Sequence, residues 1–204
     1  MSQKLIGGLL IVALVTIAAV LIIYSKGVTE EFVSPKVEEV GLISESEIDT
    51  SQIDTTGWKT YENERYGFEI KYPIDARITI KKKDKIRIDL PFASGTTLQE
   101  KFLIVKIEKT TLQKCSNPLH TIIAKTKTVY VGNIKFREEI GSDHASGSTY
   151  NSVSYSTMKE SQCFSLSLVL RSVNPEVFDV PPPVFDRKEE LKIFNQILFT
   201  LKFH

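Results

Sequence analysis

The segment Cys163-Phe-Ser-Leu-Ser-Leu-Val-Leu-Arg171 decides the fold class. Phe164, Leu166, Leu168 and Leu170 fall at every second position, with Ser165, Ser167 and Val169 between them. A period of two sends successive side chains to opposite faces of an extended chain, so this is a strand with one core face and one mild face. The same alternation recurs outward from it. Thr149 to Thr157 reads as the preceding strand, and Phe102-Leu-Ile-Val-Lys-Ile-Glu108 as a more deeply buried one with Leu103, Val105 and Ile107 inward. Arg77-Ile-Thr-Ile80 and Lys85-Ile-Arg-Ile-Asp-Leu90 alternate around the polar turn Lys81-Lys-Lys-Asp84, which predicts a hairpin. Thr128-Val-Tyr-Val131 and Ile134-Lys-Phe-Arg137 flank Gly132-Asn133, a two-residue connection of the kind that closes tight hairpins. Gly141 to Gly147 reads as a loop.

One helix interrupts this strand pattern. Pro181-Pro-Pro183 rules out regular helix before it, Asp186 can cap its start with Glu189 three residues on, and Leu191, Phe194, Ile197 and Leu198 share a face. Phe199, Leu201 and Phe203 then alternate as a final strand. Residues 58–204 are therefore expected to form one α+β domain of 147 residues, an antiparallel sheet with helix packed on it.

The remainder of the 204-residue chain is of another kind. Leu5 to Tyr24 is a run of 20 residues without a charge, long enough to cross about 30 Å of hydrocarbon as a helix. The expected anchor leaves residues 1–4 as a short cytoplasmic N-terminus carrying Lys4, with the body outside the cytoplasm, although Lys26 opposes that orientation. The competing reading is a cleaved secretory signal, whose apolar core is normally about 7–15 residues and ends at a small-x-small site. Residues 25–57 hold Lys26 and Lys36 against eight Asp and Glu, a net of −6, and few aromatics, so they are expected to form an extended acidic linker. The formal net charge of +1 averages this linker with a domain holding 23 Lys and Arg against 17 Asp and Glu. No overall basic field exists for nucleic acid.

Thr60-Tyr-Glu-Asn-Glu-Arg-Tyr-Gly-Phe-Glu-Ile-Lys-Tyr-Pro73, with Trp58 just before it, resembles the opening signature of PsbP-like domains. Phe194 to Phe203 is similar to their last helix and strand. The resemblance covers 25 of the domain's 147 residues and implies the Mog1/PsbP-like arrangement, a central antiparallel sheet flanked by helices. The sequence departs from the family after Tyr72-Pro73, where Ile74-Asp-Ala-Arg77 replaces a short polar step and Trp. Many similar domains in bacteria are anchored or exported proteins of unassigned role, and the chain resembles that group.

Chemistry is sparse. Cys115 and Cys163 are expected to pair, because the domain is expected to lie outside the cytoplasm; two unpaired buried thiols are the alternative. The three His, His120, His144 and His204, lie in separate regions. Ser142-Asp143-His144 are consecutive and cannot converge as nucleophile, base and orienter. Asp143 and His144 with Glu138 or Glu139 match no established metal spacing, and nothing sets Glu62 and Glu64 across a cleft for glycoside chemistry. The chain has no phosphate loop, no G-x-S-x-G and no H-E-x-x-H. The expectation is a domain without catalytic site, metal or cofactor.

The densest charge is Lys81, Lys82, Lys83 and Lys85, a candidate surface for an anionic envelope component or a protein partner. A solvated turn whose lysines discourage edge aggregation is the simpler account. The leading expectation is a single-pass membrane protein whose outer domain works by binding. The alternatives are an envelope hydrolase or metal-dependent enzyme, and a structural part of an envelope assembly.

Overall fold

The computed structural model describes residues 54–116, 119 and 122–204. The anchor expected at 5–24, most of the acidic linker and His120 lie outside the described residues. No helix among the described residues is long and apolar enough to cross a membrane.

Ten strands and one α-helix make up the described chain: β1 (Lys59–Asn63), β2 (Phe68–Tyr72), β3 (Arg77–Lys81), β4 (Lys85–Asp89), β5 (Leu98–Lys109), β6 (Ile122–Val131), β7 (Ile134–Ala145), β8 (Ser148–Lys159), β9 (Gln162–Val173), α1 (Arg187–Phe199) and β10 (Lys202–Phe203). A seven-stranded antiparallel sheet has the order β3-β4-β5-β9-β8-β7-β6, and a small sheet has the order β1-β2-β10. Strands β6 to β9 form a meander through two-residue turns. Gly132, at φ 56°, holds the first central position of the β6–β7 turn, which suits a type II′ turn; Ser146-Gly147 and Glu160-Ser161 have positive φ at both positions, as type I′ requires.

Alternation sorts the large sheet into two faces. The inner face carries Ile86 and Ile88 of β4, Leu103, Val105 and Ile107 of β5, Tyr155 of β8, and Phe164, Leu166, Leu168 and Leu170 of β9, all buried. Helix α1 covers part of it, with Phe194 at 5.6 Å from the Tyr155 ring. The small sheet covers another part, where Phe68 and Phe203 meet Phe164 at 5.7 and 4.9 Å. The Asp186 carboxylate accepts from the N–H groups of Lys188 and Glu189, the cap expected from the sequence.

The outer face is different. It carries the buried Ser152, Ser154, Ser156, Ser165 and Ser167, beside an apolar cluster of Phe102, Ile104 and Val169. The connection from β5 to β6 is fixed to this face at two points. Cys115 is bonded to Cys163, and Leu119 packs against the Phe102 cluster together with Tyr150.

Four expectations need correction. The sheet is not flanked by helices: among the described residues there is one α-helix, with single 3₁₀ turns at Leu112–Lys114 and Pro175–Val177, and the second cover of the inner face is a sheet. The reason is connection length, since two-residue hairpins leave no chain for a helix between β6 and β9, and Pro175 and Pro181 to Pro183 break the long link before α1. The predicted loop from Gly141 is strand as far as Ala145, paired with β8 down to Ala145 opposite Ser148. Phe199 belongs to α1 rather than to the last strand, and the helix ends where the Thr200 hydroxyl donates to the Ile197 carbonyl at 2.7 Å. A first strand, β1, pairs with β2 where no strand is expected from alternation.

Candidate functional site

The lysine-rich turn is held by backbone bonds that leave its side chains to solvent. The Lys82 N–H donates to the Lys85 carbonyl at 2.8 Å, and the Asp84 carbonyl accepts from the Ile107 N–H at 2.8 Å, which ties the turn to the end of β5. Lys81 places its ammonium 5.9 Å from the centroid of the Tyr61 ring. The Asn63 side-chain amide donates to the Tyr61 hydroxyl at 3.1 Å, and this fixes the ring's polar edge. Lys81, Lys82 and Lys83 form one wall of an open groove of about 490 Å³, and residues Tyr61 to Arg65 form the other. The fourth candidate, Lys85, does not line it and pairs across the sheet with Lys106. Three lysines therefore face Glu62 and Glu64 in one groove, and Arg65 shares the carboxylates' wall. The two carboxylates sit on the same wall, so no cleft separates them.

Beside this groove lies a smaller, polar concavity of about 240 Å³. Gly67 lies within it at φ 58°, and a Cβ there would approach the His204 carbonyl to 3.3 Å. The close backbone approach at this glycine is the contact beside β2 and β10, where the His204 N–H donates to the Gly67 carbonyl at 2.9 Å. The Lys159 ammonium donates to the His204 carbonyl at 2.6 Å.

The expected disulfide is present, with the Cys115 and Cys163 Cα atoms 5.3 Å apart and both residues buried. Ser142, Asp143 and His144 do not converge. The Asp143 carboxylate accepts from the His144 N–H at 2.9 Å, while His144 Nδ1 lies 3.1 Å from the Thr149 hydroxyl. Glu138 is engaged elsewhere, its Oε2 accepting from the Tyr155 hydroxyl at 2.7 Å, and Glu139 faces the opposite side of β7. Among the described residues no group of three or more ligand-type side chains gathers to hold a metal.

Alternation alone did not single out several charged groups that the structure brings together. Lys101 shares the inward parity of Leu103 and Val105, and its ammonium meets Glu190 of α1 at 2.7 Å, with the lysine side chain 4% exposed. Burial pulls the Lys101 ammonium below its usual range, and the Glu190 contact offsets part of this. On the outer face, Glu100 accepts from Arg87 at 2.9 Å and from Arg171 at 2.7 Å. The hydrogen bond from Arg87 holds the Glu100 carboxyl below its usual range, with Arg171 adding to the effect. The Tyr155 phenol is pushed well above its usual range, first by burial and then by Glu138. The signal available for Lys101 and Glu138 was their parity, since Glu138 shares a face with Phe136.

No family model matches the chain, and no curated protein matches it. Among solved structures it is similar to a protein of Bacteroides thetaiotaomicron, with TM-score 0.47 and 13% identity over 72% of this chain and 48% of that one. It is also similar to the immunity protein TplEi of the T6SS from Pseudomonas aeruginosa, with TM-score 0.37 and 15% identity over 68% of this chain and 46% of that one. The same immunity protein complexed with "L" peptide gives TM-score 0.37 and 14% identity over 67% and 49%. The chain spans about half the length of each of these structures.

Proposed function

We propose that the chain is a single-pass membrane protein that carries a PsbP-like α+β domain on an acidic stalk outside the cytoplasm, and that the domain binds an anionic envelope component rather than catalysing a reaction. The observation that carries this reading is the groove lined by Lys81, Lys82, Lys83 and Arg65 together with Tyr61, whose ring lies beside the Lys81 ammonium. Clustered cations beside an aromatic ring attract an anionic polymer or headgroup and give it an apolar surface to rest on. The Cys115–Cys163 disulfide supports an oxidising compartment, where such bonds persist. The PsbP-like assignment draws support from the placement of its two signature segments. The first contains β1 and β2, the second ends in β10, and β10 pairs with β2.

The test uses full-length protein in neutral detergent on an immobilised polyphosphate matrix. Retention is expected to fall with salt, and the Lys81→Gln/Lys82→Gln/Lys83→Gln variant should elute at lower salt than the wild type. Identical elution would remove the groove from the proposal. Protease added to intact cells should cleave the domain; a domain left whole would overturn the topology.

A further inference from the structure

We infer that the outer face holds a second, separate site, a cleft beside the disulfide that takes the phosphate group of an organic phosphate ester. The cleft measures about 530 Å³. Its floor is a row of Thr128, Arg137 and Ser156, registered opposite one another on β6, β7 and β8. Ser156 is 3% exposed, and its Oγ makes no hydrogen bond. A buried hydroxyl with no partner is uncommon in a native fold, and a group that entered the cleft and displaced its neighbours slightly would supply one.

Arg137 flanks this hydroxyl. One of its terminal nitrogens lies 3.0 Å from Glu139, and the rest of the fork is left for a ligand. Lys135 lines the same cleft two residues along β7, exposed and with no ion pair among the described residues. Two hydroxyls on either side of a planar guanidinium, with a mobile ammonium at the rim, supply donors from several directions. That arrangement fits a group with three acceptor oxygens better than a flat carboxylate. The volume exceeds what a phosphate fills, and Leu112, Met158 and the disulfide supply apolar wall for the organic part of the ligand. The site is independent of the lysine groove, since the two share no residue.

The ester can be a soluble metabolite or a lipid headgroup, and two arms separate them. Full-length protein in neutral detergent is titrated with glycerol 3-phosphate by calorimetry, and protein in phosphatidylcholine nanodiscs is compared with and without added phosphatidic acid vesicles. Binding in the first arm supports a soluble ester, and binding in the second alone supports a lipid. Lys135→Gln/Ser156→Ala should weaken either interaction at least tenfold, and Lys188→Gln, an exposed site on α1 that lines neither cleft, should leave it unchanged. Ser156→Ala removes only an unpartnered hydroxyl, so its fold is expected to survive; thermal denaturation checks this. Absence of binding in both arms, equal binding by the double variant, or equal loss in Lys188→Gln would overturn the proposal.

Discussion

On the inner face of the large sheet Tyr155 packs against Phe194 of α1, while Ser154 and Ser156, its neighbours in the chain, turn to the outer face, where Cys115 is bonded to Cys163. The same strand thus serves two different kinds of cover. Large interlocking side chains hold the helix by apolar burial. On the outer face small serines line the sheet, and the β5–β6 connection is held there by a covalent bond at Cys115 and by Leu119 against Phe102, Ile104 and Val169. The inner cover therefore depends on volume, and the outer cover depends on smallness and on one sulfur–sulfur bond.

The largest expected effect is on the volume side. Phe194→Ala should cost about 3–5 kcal/mol, because Phe194 is fully buried between α1 and the sheet. Urea denaturation measures it, and a loss below about 1 kcal/mol would mean that the helix is not what holds the inner face. Next comes Cys115→Ser/Cys163→Ser. The bond closes a loop across 48 positions, and its loss should cost about 2–4 kcal/mol. Hydrogen exchange should rise around Leu112 to Cys115 while β5 and β9 stay protected; equal loosening of both faces would break the contrast.

A matched pair sharpens it further. Ser167→Leu adds apolar bulk where there is no room and should destabilise by about 1–3 kcal/mol. Leu168→Met, one residue on and facing inward, should cost less than about 1.5 kcal/mol.

The smallest effects appear in pH dependence, and they have opposite signs on the two faces. Glu100, on the outer face, has a folded pKa below its unfolded value. Its stabilisation is present above the usual carboxylate range and is lost as pH falls from that range through the depressed folded value, and Glu100→Gln should flatten this acid limb. Tyr155, on the inner face, has a folded pKa above its unfolded value. Its contribution is intact below the usual tyrosine value of about 10 and declines as pH rises beyond it. Tyr155→Phe should remove that alkaline slope in melting curves, and an unchanged slope would assign it to another group.

What could be read in advance follows the same division. The inner face was legible because Leu166, Leu168 and Leu170 repeat at the period of a strand, and Asp186 with Glu189 marks a helix start in any context. The outer face was legible only as mild, since a run of serines does not show what lies over it. The bridge was expected from compartment, but the position of Cys115 across that face depends on β6 being placed at the far edge of the sheet, a topological fact that no local pattern encodes. The small sheet escaped notice for a simpler reason, because β10 is two residues long and pairs with a strand at the other end of the domain. In the candidate groove, Lys81 to Lys83 stood out as a run, whereas Tyr61 and Arg65 join them only through the fold.

Strand β9 is the last long strand to be synthesised, yet it lies at the centre of the sheet, with Leu98 of β5 paired to Ser172 and Lys109 to Gln162. Contacts so distant in sequence are slow to form, because the chain must close a large loop before any of them repays the ordering. Until β9 arrives, the apolar edge of β5 around Phe102 to Val105 has no partner on that side. An unpaired hydrophobic edge invites pairing with another chain. A nascent chain stalled near Ser161 is therefore the species most prone to aggregate, and the final strand relieves that hazard as it completes the sheet.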